Sequence, residues 1–276
     1  MDLVDTHCHL NHHDYDDDRS DVIERAVQAT VRRMMVIGFD MASSRRAVDL
    51  TSSEHAGAEL YAVIGIHPES GDEWTEETRS ELATLYASTP ARIAAYGEIG
   101  LDYHWETVPR DRQQVVFVEQ IEFAASLRPD PLPIIIHCRD AMAPGGRLPP
   151  GTTAMDDVLD VLKASGTRCP IVMHCFTGDV DTARRCLDAG YYLGIGGVAT
   201  FKKTDDVRAA VAYAPIERLI LETDCPYLAP QKWRGRRNEP SYLTAVADTV
   251  ALVKGMTIDE VAASTTSTAV RLFGLG

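Results

Sequence analysis

Residues 94–101, AAYGEIGL, and residues 132–138, LPIIIHC, are two apolar runs on either side of an amphipathic segment from Arg110 to Leu127. Short runs of this kind are typical of buried strands, and the segment between them has the length of a helix. A strand, a helix and a second strand in this order favour two parallel strands joined by a helical crossover. This stretch decides the fold because the same unit recurs along the rest of the chain.

Six further apolar runs repeat the pattern, with amphipathic stretches between them. A regular series of apolar strands and helices implies a parallel sheet whose outer face is covered. Eight such units in 276 residues predict a TIM-type (β/α)₈ barrel, formed by a single domain over residues 1–276, rather than an open doubly wound sheet. The six runs are Leu3 to His7, Met34 to Phe39, Leu60 to Ile66, Pro170 to Phe176, Tyr191 to Gly197 and Leu219 to Asp224.

The composition is that of an ordinary globular protein. Hydrophobic residues make up 45% and charged residues 25% of the sequence, which excludes disorder, collagen and coiled coils for the whole chain. The 27 basic and 41 acidic side chains give a formal net charge of −14. Proteins that bind nucleic acid usually neutralise phosphates with a surplus of Lys and Arg, so the net charge alone argues against such a partner.

The cysteines and the N-terminal segment bear on the compartment. The six cysteines include no Cys-x-x-Cys pair, so neither a disulfide framework nor a thiolate zinc site is expected. The N-terminal segment is acidic, unlike a secretory signal, and no uncharged apolar run approaches the ~18 residues of a membrane span. We therefore expect a protein of the cytoplasm with no membrane partner.

Polar side chains stand at or beside the carboxyl ends of the predicted strands. In a closed barrel these ends converge on one mouth. Residues i and i+2 of a strand point to the same face, so a His-x-His pair can bind one ion. Neutral imidazole and carboxylate oxygens are suitable ligands for Zn²⁺, Mn²⁺ and related ions. The candidate ligands are His7, His9, Glu98, His137, His174 and Asp224.

The number of ligands predicts the number of ions. Three or four ligands are sufficient for one ion, whereas six suit two ions that share a bridging carboxylate. Glu98 is the expected bridge because it lies midway round the barrel, between His7 and His9 on one side and His137 and His174 on the other. The sequence therefore predicts two divalent ions at the mouth of the barrel.

Residues Ala143 to Thr152 interrupt the series of strands and helices. They are too rich in Pro and Gly for a helix, and they follow the fifth predicted strand. We expect them to form a loop at the carboxyl end of the strands, where loops build active sites. A functional lid and a tolerated surface insertion both agree with this composition.

Seven motifs along the chain resemble those of the TatD family of metal-dependent hydrolases and deoxyribonucleases, in the family's order. The resemblance implies a TIM-type barrel with two divalent ions (Mg²⁺, Mn²⁺ or Zn²⁺). It also implies hydrolysis of phosphodiesters by metal-activated water, typically 3′-to-5′ trimming of DNA ends. The motifs are Asp5 to Leu10 (DTHCHL), Gly65 to Pro68 (GIHP), Gly97 to Tyr103 (GEIGLDY), Ile136 to Ala141 (IHCRDA), His174 to Gly178 (HCFTG), Glu222 to Leu228 (ETDCPYL) and Arg236 to Pro240 (RRNEP).

The resemblance also implies a role for each ligand. His7, His9, Glu98 and Asp224 would hold the first ion, and Glu98, His137 and His174 the second. Glu98 and Asp224 are the expected catalytic residues. Asp224 would orient the attacking water and accept its proton.

Glu222 is expected to support the ligands rather than to bind metal. It stands two residues before Asp224 on the same strand face, one layer deeper in the barrel. A carboxylate at that depth suits a partner that fixes the orientation of a ligand.

Substrate binding requires local positive charge, because phosphate is an anion. Residues 231–238, QKWRGRRN, carry four basic side chains and no acid directly after the eighth strand. Arg236 and Arg237 are candidates for phosphate, and Trp233 is a candidate for stacking on a base. His67, at the end of the third strand, and Arg139, just past His137, are further substrate-binding candidates. DNA ends or another phosphodiester would be the partner.

Two other functions remain open on the sequence. Small-molecule amidohydrolases and lactonases have a similar His-x-His pair, two later histidines and a final Asp, but many of them place a carboxylated Lys at the end of the fourth strand, where this chain has Glu98. A non-catalytic nucleic-acid-binding scaffold on the same barrel is the second alternative.

Overall fold

The computed structural model describes residues 1–55, 57–105, 107–141 and 153–276. Within these residues, eight parallel strands form one sheet in which each strand is hydrogen-bonded to its neighbours in chain order. The sequence alternates apolar runs with helices, and the sheet follows that alternation. The strands are β1 (Leu3–Cys8), β2 (Val31–Ile37), β3 (Glu59–Ile64), β4 (Ile93–Asp102), β5 (Ile134–Arg139), β6 (Ile171–Met173), β7 (Tyr192–Ile195) and β8 (Leu219–Leu221).

The described part of the chain contains nine α-helices, seven between successive strands and two after β8. Several begin at side-chain caps, such as Asp40, Thr75, Thr153 and Asp179, each of which accepts a hydrogen bond from a backbone N–H of the first turn. The TIM-type (β/α)₈ barrel predicted from the sequence is confirmed. The helices are α1 (Arg19–Gln28), α2 (Met41–Thr51), α3 (Glu76–Ser88), α4 (Arg110–Ser126), α5 (Ala154–Ser165), α6 (Val180–Asp188), α7 (Asp205–Tyr213), α8 (Leu243–Lys254) and α9 (Ile258–Phe273).

Apolar side chains from the strands fill the inside of the barrel. Ile135 and Val172 belong to this cluster, together with Phe273 at the end of α9. Alternate residues of a strand face the same side. His137 and His174 stand two residues beyond Ile135 and Val172, so they continue the interior side at the carboxyl end of the strands. The packed interior thus forms the floor beneath the candidate ligands.

The first and last strands close the barrel. Cys8 of β1 forms a parallel bridge with Cys225, which follows β8. The backbone N–H of His9 donates to the carbonyl of Cys225 at 2.8 Å, and the N–H of Asp224 donates to the carbonyl of His7 at 2.8 Å. This seam between β1 and β8 brings the His-x-His pair beside Asp224.

Five strands, β2, β3, β6, β7 and β8, end two or three residues earlier than the sequence suggested, and two of them bear on the site. β6 ends at Met173 rather than Phe176, and β8 ends at Leu221 rather than Asp224. The backbone turns to positive φ at Cys175 (45°) and Asp224 (56°), a left-handed conformation that a strand cannot accommodate. His174 and Asp224 therefore lie in the turns that follow their strands.

The segment from Ala143 to Thr152, predicted as a loop, lies outside the described residues. Among the residues that are described, no helix combines the length and the apolar character needed to cross a membrane.

Candidate metal centre

Glu98 of β4 occupies the centre of the barrel mouth and is almost fully buried. Its Oε1 atom lies 2.7 Å from Nδ1 of His137 and 3.6 Å from Nε2 of His174. Its Oε2 atom lies 3.4 Å from Nε2 of His7. The two oxygens of one carboxylate thus face β1 on one side and the ends of β5 and β6 on the other, which suits a bridge between two cations.

Asp224 connects the remaining candidate ligands to this cluster. Its Oδ1 atom lies 3.3 Å from Nε2 of His9, 3.7 Å from Nε2 of His7 and 3.8 Å from Nε2 of His174. The structure therefore brings all six ligands predicted from the sequence into one cluster.

Two glycines allow β4 and β5 to approach each other beside Glu98. Gly97 and Gly100 have φ of +147° and +145°, which L side chains rarely adopt. A Cβ at Gly97 would lie 2.7 Å from the carbonyl oxygen of Ile135, and a Cβ at Gly100 would overlap the carbonyl oxygen of His137. The absence of side chains at these two positions allows His137 to sit beside the Glu98 carboxylate.

A second layer of carboxylates contacts two of the histidines. Asp102 Oδ2 lies 2.9 Å from Nε2 of His137, and Glu222 Oε1 lies 2.8 Å from Nδ1 of His174. Both carboxylates are buried. Carboxylates in such positions fix the ring orientation and the tautomer of a metal-binding histidine. Glu222 thus lies where a supporting residue was expected.

Asp102 was not singled out by sequence reasoning. It lies four residues after Glu98 in the same strand, and even spacing in a strand places two side chains on one face. The spacing from Glu98 is therefore the sequence signal that could have identified Asp102. The Asp102 Oδ1 atom also accepts hydrogen bonds from the backbone N–H groups of His104 (2.8 Å) and Trp105 (3.0 Å), which attaches the loop after β4 to the site.

The carboxylates of the site favour positive charge on two histidines. Burial opposes protonation of His137, but its hydrogen bonds with Asp102 and Glu98 outweigh burial and raise its pKa to about 9. Burial also opposes protonation of His174, but the charges of Glu222 and Glu98 raise its pKa to about 10. The site therefore attracts positive charge, whether as protons or as metal cations.

The two central carboxylates are ionised at neutral pH. Burial would raise the pKa of Glu98, but the charges of His174 and His7 and the hydrogen bond with His137 hold that pKa well below its usual range. For Asp224, the hydrogen bond with His9 and the histidine charges likewise outweigh burial and lower the pKa. Ionised carboxylates are the form that binds divalent cations.

The surroundings of the His7 ring indicate whether the candidate ligands fit a metal ion. Its side chain is fully buried, and neither ring nitrogen has a hydrogen-bond partner among the described residues. Burial lowers its pKa, so the ring is neutral and one nitrogen keeps a free lone pair. An unpartnered buried nitrogen is costly unless a ligand satisfies it. Ligand atoms of His7, His9 and Asp224 lie within 4.8 Å of one another, so the donor set fits a cation.

A cavity of about 660 Å³ opens above the cluster. Two of the predicted substrate-binding residues, His67 and Arg139, line it. Burial lowers the pKa of His67 to about 3, so this side chain is neutral at physiological pH. Trp105 and Tyr227, which sequence reasoning did not select, also line the cavity.

The basic segment after β8 lies outside the lining of this cavity. Arg236 and Arg237 are exposed, and Arg237 donates to the Asp18 carboxylate at 2.6 Å and 2.9 Å. Trp233 stacks on Tyr242, with ring centroids 3.9 Å apart and planes at 2°. The structure thus brings Arg139, but neither Arg236 nor Arg237, to the wall of the cavity.

Comparison with known proteins identifies relatives along the whole chain. The sequence matches the family described as TatD related DNase over residues 4–274. It is 42% identical over 272 residues to the uncharacterized metal-dependent hydrolase YabD of Bacillus subtilis, and the match covers 98% of each chain. It is 34% identical over 278 residues to the 3′-5′ ssDNA/RNA exonuclease TatD of Erwinia amylovora, covering 99% of this chain and 100% of the relative.

A solved structure shows the same fold. The crystal structure of YjjV, a TatD homologue from Escherichia coli K12, superposes with a TM-score of 0.87 at 27% identity, covering 99% of this chain and 98% of the other. Family match, sequence identity and fold agree over almost the entire length. The chain belongs to the TatD family.

Proposed function

We propose that this protein is a divalent-metal-dependent phosphodiester hydrolase that removes nucleotides from the 3′ end of DNA. The observation that carries the proposal is the position of the Glu98 carboxylate between His7 on one side and His137 and His174 on the other. Bridged pairs of cations are typical of phosphatases and nucleases. A relative that matches the whole chain is named a 3′-5′ ssDNA/RNA exonuclease, which supports the same activity.

The candidate ligands divide into two sets that share Glu98. Together with Glu98, His7, His9 and Asp224 would hold one ion, and His137 and His174 would hold the other. Imidazole and carboxylate donors accept Mg²⁺, Mn²⁺ and Zn²⁺, and we propose one of these as the native metal. When bound, the ions supply Lewis acidity toward phosphate oxygens and a lowered pKa for water.

The side chains around the ligands have separate tasks in this proposal. Asp224 is ionised and accepts a proton from the attacking water, which it also orients toward phosphorus. Glu222 holds the ring of His174, and Asp102 holds the ring of His137. These contacts keep the two imidazoles in place during turnover.

The cavity is large enough for the end of a nucleic-acid strand. Ligand pockets usually enclose about 300–1,000 Å³, and the cavity of about 660 Å³ fits a terminal nucleotide rather than a length of duplex. Its lining includes the carboxylates of Glu69, Glu98, Asp102 and Asp224 but only one Lys or Arg side chain among the described residues, Arg139. Metal ions are therefore required to make this wall attractive to phosphate, despite the net charge of −14.

Residues 1–276 form one catalytic domain in this proposal, because the candidate ligands come from β1 and the residue after it, from β4 and β5, and from the turns after β6 and β8. The cytoplasm is the proposed compartment. All six cysteines are unpaired in the structure, as in most proteins of a reducing environment.

Product analysis on end-labelled oligonucleotides tests the proposal. Single-stranded DNA and RNA of one sequence are incubated with Mg²⁺, Mn²⁺ or Zn²⁺ in turn. A 5′ label should yield a ladder of shortened products, and a 3′ label should be released at once as a mononucleotide. D224N should keep the fold by circular dichroism and lose the activity.

Two results would contradict the proposed function, and a third would contradict the role of Asp224. The first is turnover of lactones or amides without cleavage of any phosphodiester, which is the result expected of an amidohydrolase or lactonase. The second is tight DNA binding without turnover in saturating metal, which is the result expected of a scaffold. The third is full activity of D224N, which would remove Asp224 from the mechanism.

A further inference from the structure

Three exposed apolar side chains line the cavity, one of them after β4 and two after β8. Trp105 is 52% exposed, Tyr227 49% and Leu228 39%, and all three line the cavity. Exposed apolar groups that gather at one place mark binding surfaces, whereas scattered ones are normal. The ring of Tyr227 packs edge-on against the ring of His9, with centroids 5.8 Å apart, and so also supports a candidate ligand. The position of the three side chains in the cavity lining points to an apolar part of the substrate.

The backbone of Trp105 is anchored beside the candidate ligands. Its backbone N–H donates to Asp102 Oδ1 at 3.0 Å, while Asp102 Oδ2 contacts His137 at 2.9 Å. The ring of His104 packs edge-on against the Trp105 ring, with centroids 4.6 Å apart. The loop that carries the indole is thus anchored to the same carboxylate that orients a candidate ligand, and a ring anchored in this way can position a substrate group.

Arg139 stands beside the indole. Its guanidinium carbon lies 5.7 Å from the centroid of the Trp105 ring, and both residues line the cavity. Arg139 ends β5, two residues after His137. A guanidinium fork binds phosphate oxygens, and an indole stacks on the face of a base. A nucleotide presents these two groups close together, so the pair matches one nucleotide in chemistry.

We infer that Trp105 is the nucleobase-stacking residue of this protein and that, with Arg139, it makes the enzyme prefer phosphodiesters that carry a base. The inference rests on the proposed function and names the substrate group recognised beside the phosphate. Every base has a π-face, so the contact favours nucleotides over small phosphodiesters without selecting a sequence.

Trp233 offers a matched control. Its ring is already stacked on Tyr242 and lies outside the lining of the cavity. Both tryptophans follow barrel strands at the carboxyl end, and they differ in whether the ring faces the cavity. The W233A variant should therefore lose a stacked aromatic pair without losing contact with a base.

The test combines substitution of the tryptophan side chain with removal of the terminal bases of the substrate. Initial rates are measured for the wild type, W105A, W105F and W233A on two oligonucleotides. One carries thymine at both 3′-terminal positions, and the other carries tetrahydrofuran residues there and so lacks those bases.

Base stacking predicts that W105A loses roughly tenfold or more in kcat/KM on the thymine oligonucleotide, mostly through KM. On the oligonucleotide without terminal bases, W105A should match the wild type. W105F should retain most of the preference for the base, and W233A all of it.

The outcomes separate this inference from the proposed function. An equal loss on both oligonucleotides would make Trp105 a structural residue and overturn the inference, as would an unchanged KM in W105A. Loss of the preference for the base in W233A, with the preference retained in W105A, would overturn the inference as well. Failure of the wild type to cleave either oligonucleotide with any of the three metals would instead refute the proposed function. Metal content measured for each variant excludes loss of the ions as the cause of a lowered rate.

Discussion

Asp102 contacts Nε2 of His137 at 2.9 Å and leaves Nδ1 of the same ring 2.7 Å from Glu98. The imidazole thus lies between two carboxylates: Asp102, which orients the ring, and Glu98, the candidate bridging ligand. A carboxylate accepts a hydrogen bond and cannot donate one, so Asp102 favours the proton on Nε2. A cation that displaced the proton from Nδ1 would leave the other proton with Asp102, so Nδ1 is the nitrogen that would act as a ligand.

The D102N variant reverses this preference. Its amide oxygen can still accept from the N–H groups of His104 and Trp105, but its NH₂ group would face Nε2 of His137 and place the proton on Nδ1. We expect metal affinity and kcat to fall by about 10- to 100-fold, with the fold unchanged. Calorimetric metal titration and initial rates measure both effects. Wild-type affinity in D102N would show that Asp102 does not position the ring.

The G100A variant should separate β4 from β5. The added Cβ would overlap the carbonyl oxygen of His137, and φ at this position is +145°. Gly235 provides the control because its φ is also positive, +83°, while no atom lies within 4 Å of a Cβ there.

Urea unfolding of the two glycine variants measures the cost of the overlap. G235A should lose about 1–2 kcal/mol from backbone conformation alone. G100A should lose at least about 2 kcal/mol more, because the overlap adds strain, and its activity should fall as His137 moves. Equal losses in the two variants would mean that the close approach of the strands is not required.

Glu239 should contribute stability that depends on pH. It forms an ion pair with Arg25 of α1 at 2.7 Å. Burial would raise its pKa, but hydrogen bonds from Arg25 and Ser241 outweigh burial and hold the pKa below the ordinary value of 4.5. A folded pKa below the unfolded one stabilises the protein above about pH 4.5, and this contribution is lost as the pH falls through the lower, folded value.

The E239Q variant tests the direction in which this stability contribution changes with pH. At pH 7 it should unfold at lower urea concentration than the wild type, by about 1 kcal/mol or less, because Arg25 is partly exposed. The difference between the two proteins should shrink below pH 4.5. A double-mutant cycle with R25Q isolates the pair from other titrating groups. A difference that widened toward acid pH would refute this role of Glu239.

Arg139 and the basic segment after β8 should differ in their effect on substrate binding. Arg139 lines the cavity, whereas Arg237 is paired with Asp18. R139A should raise KM for a short oligonucleotide roughly tenfold or more, as loss of a charged hydrogen bond worth about 1.5–3 kcal/mol implies. The R236A/R237A double variant should raise it less, and R139K should recover part of the loss. A larger effect of the double variant would place the phosphate site on that segment.

Local patterns were sufficient to predict the barrel and the clustering of the candidate ligands. The predicted helix from Arg110 to Leu127 corresponds to α4, Arg110–Ser126, since apolar runs and amphipathic stretches are local properties. The site followed from topology, because the carboxyl ends of barrel strands meet wherever they lie in the sequence. The histidine and carboxylate positions therefore needed no knowledge of long-range packing.

Contacts between distant segments could not be predicted in this way. The pairing of Arg237 with Asp18 joins residues 219 positions apart, and the stacking of Trp233 on Tyr242 depends on how the last loop folds back. The early ends of β6 and β8 arise from left-handed turns at Cys175 and Asp224, which no local pattern of apolar residues marks. Composition identified a basic segment, but only the fold shows that its Arg237 is paired with an acid.

The seam between β1 and β8 has a consequence for biosynthesis. His7 and His9 leave the ribosome before the other candidate ligands, and Asp224 leaves it after them. A nascent chain that stops before Asp224 lacks a donor of the site and the backbone contact that closes the sheet. Completion of the barrel and completion of the cluster of candidate ligands are thus one event, and an interrupted or truncated chain lacks the assembled cluster.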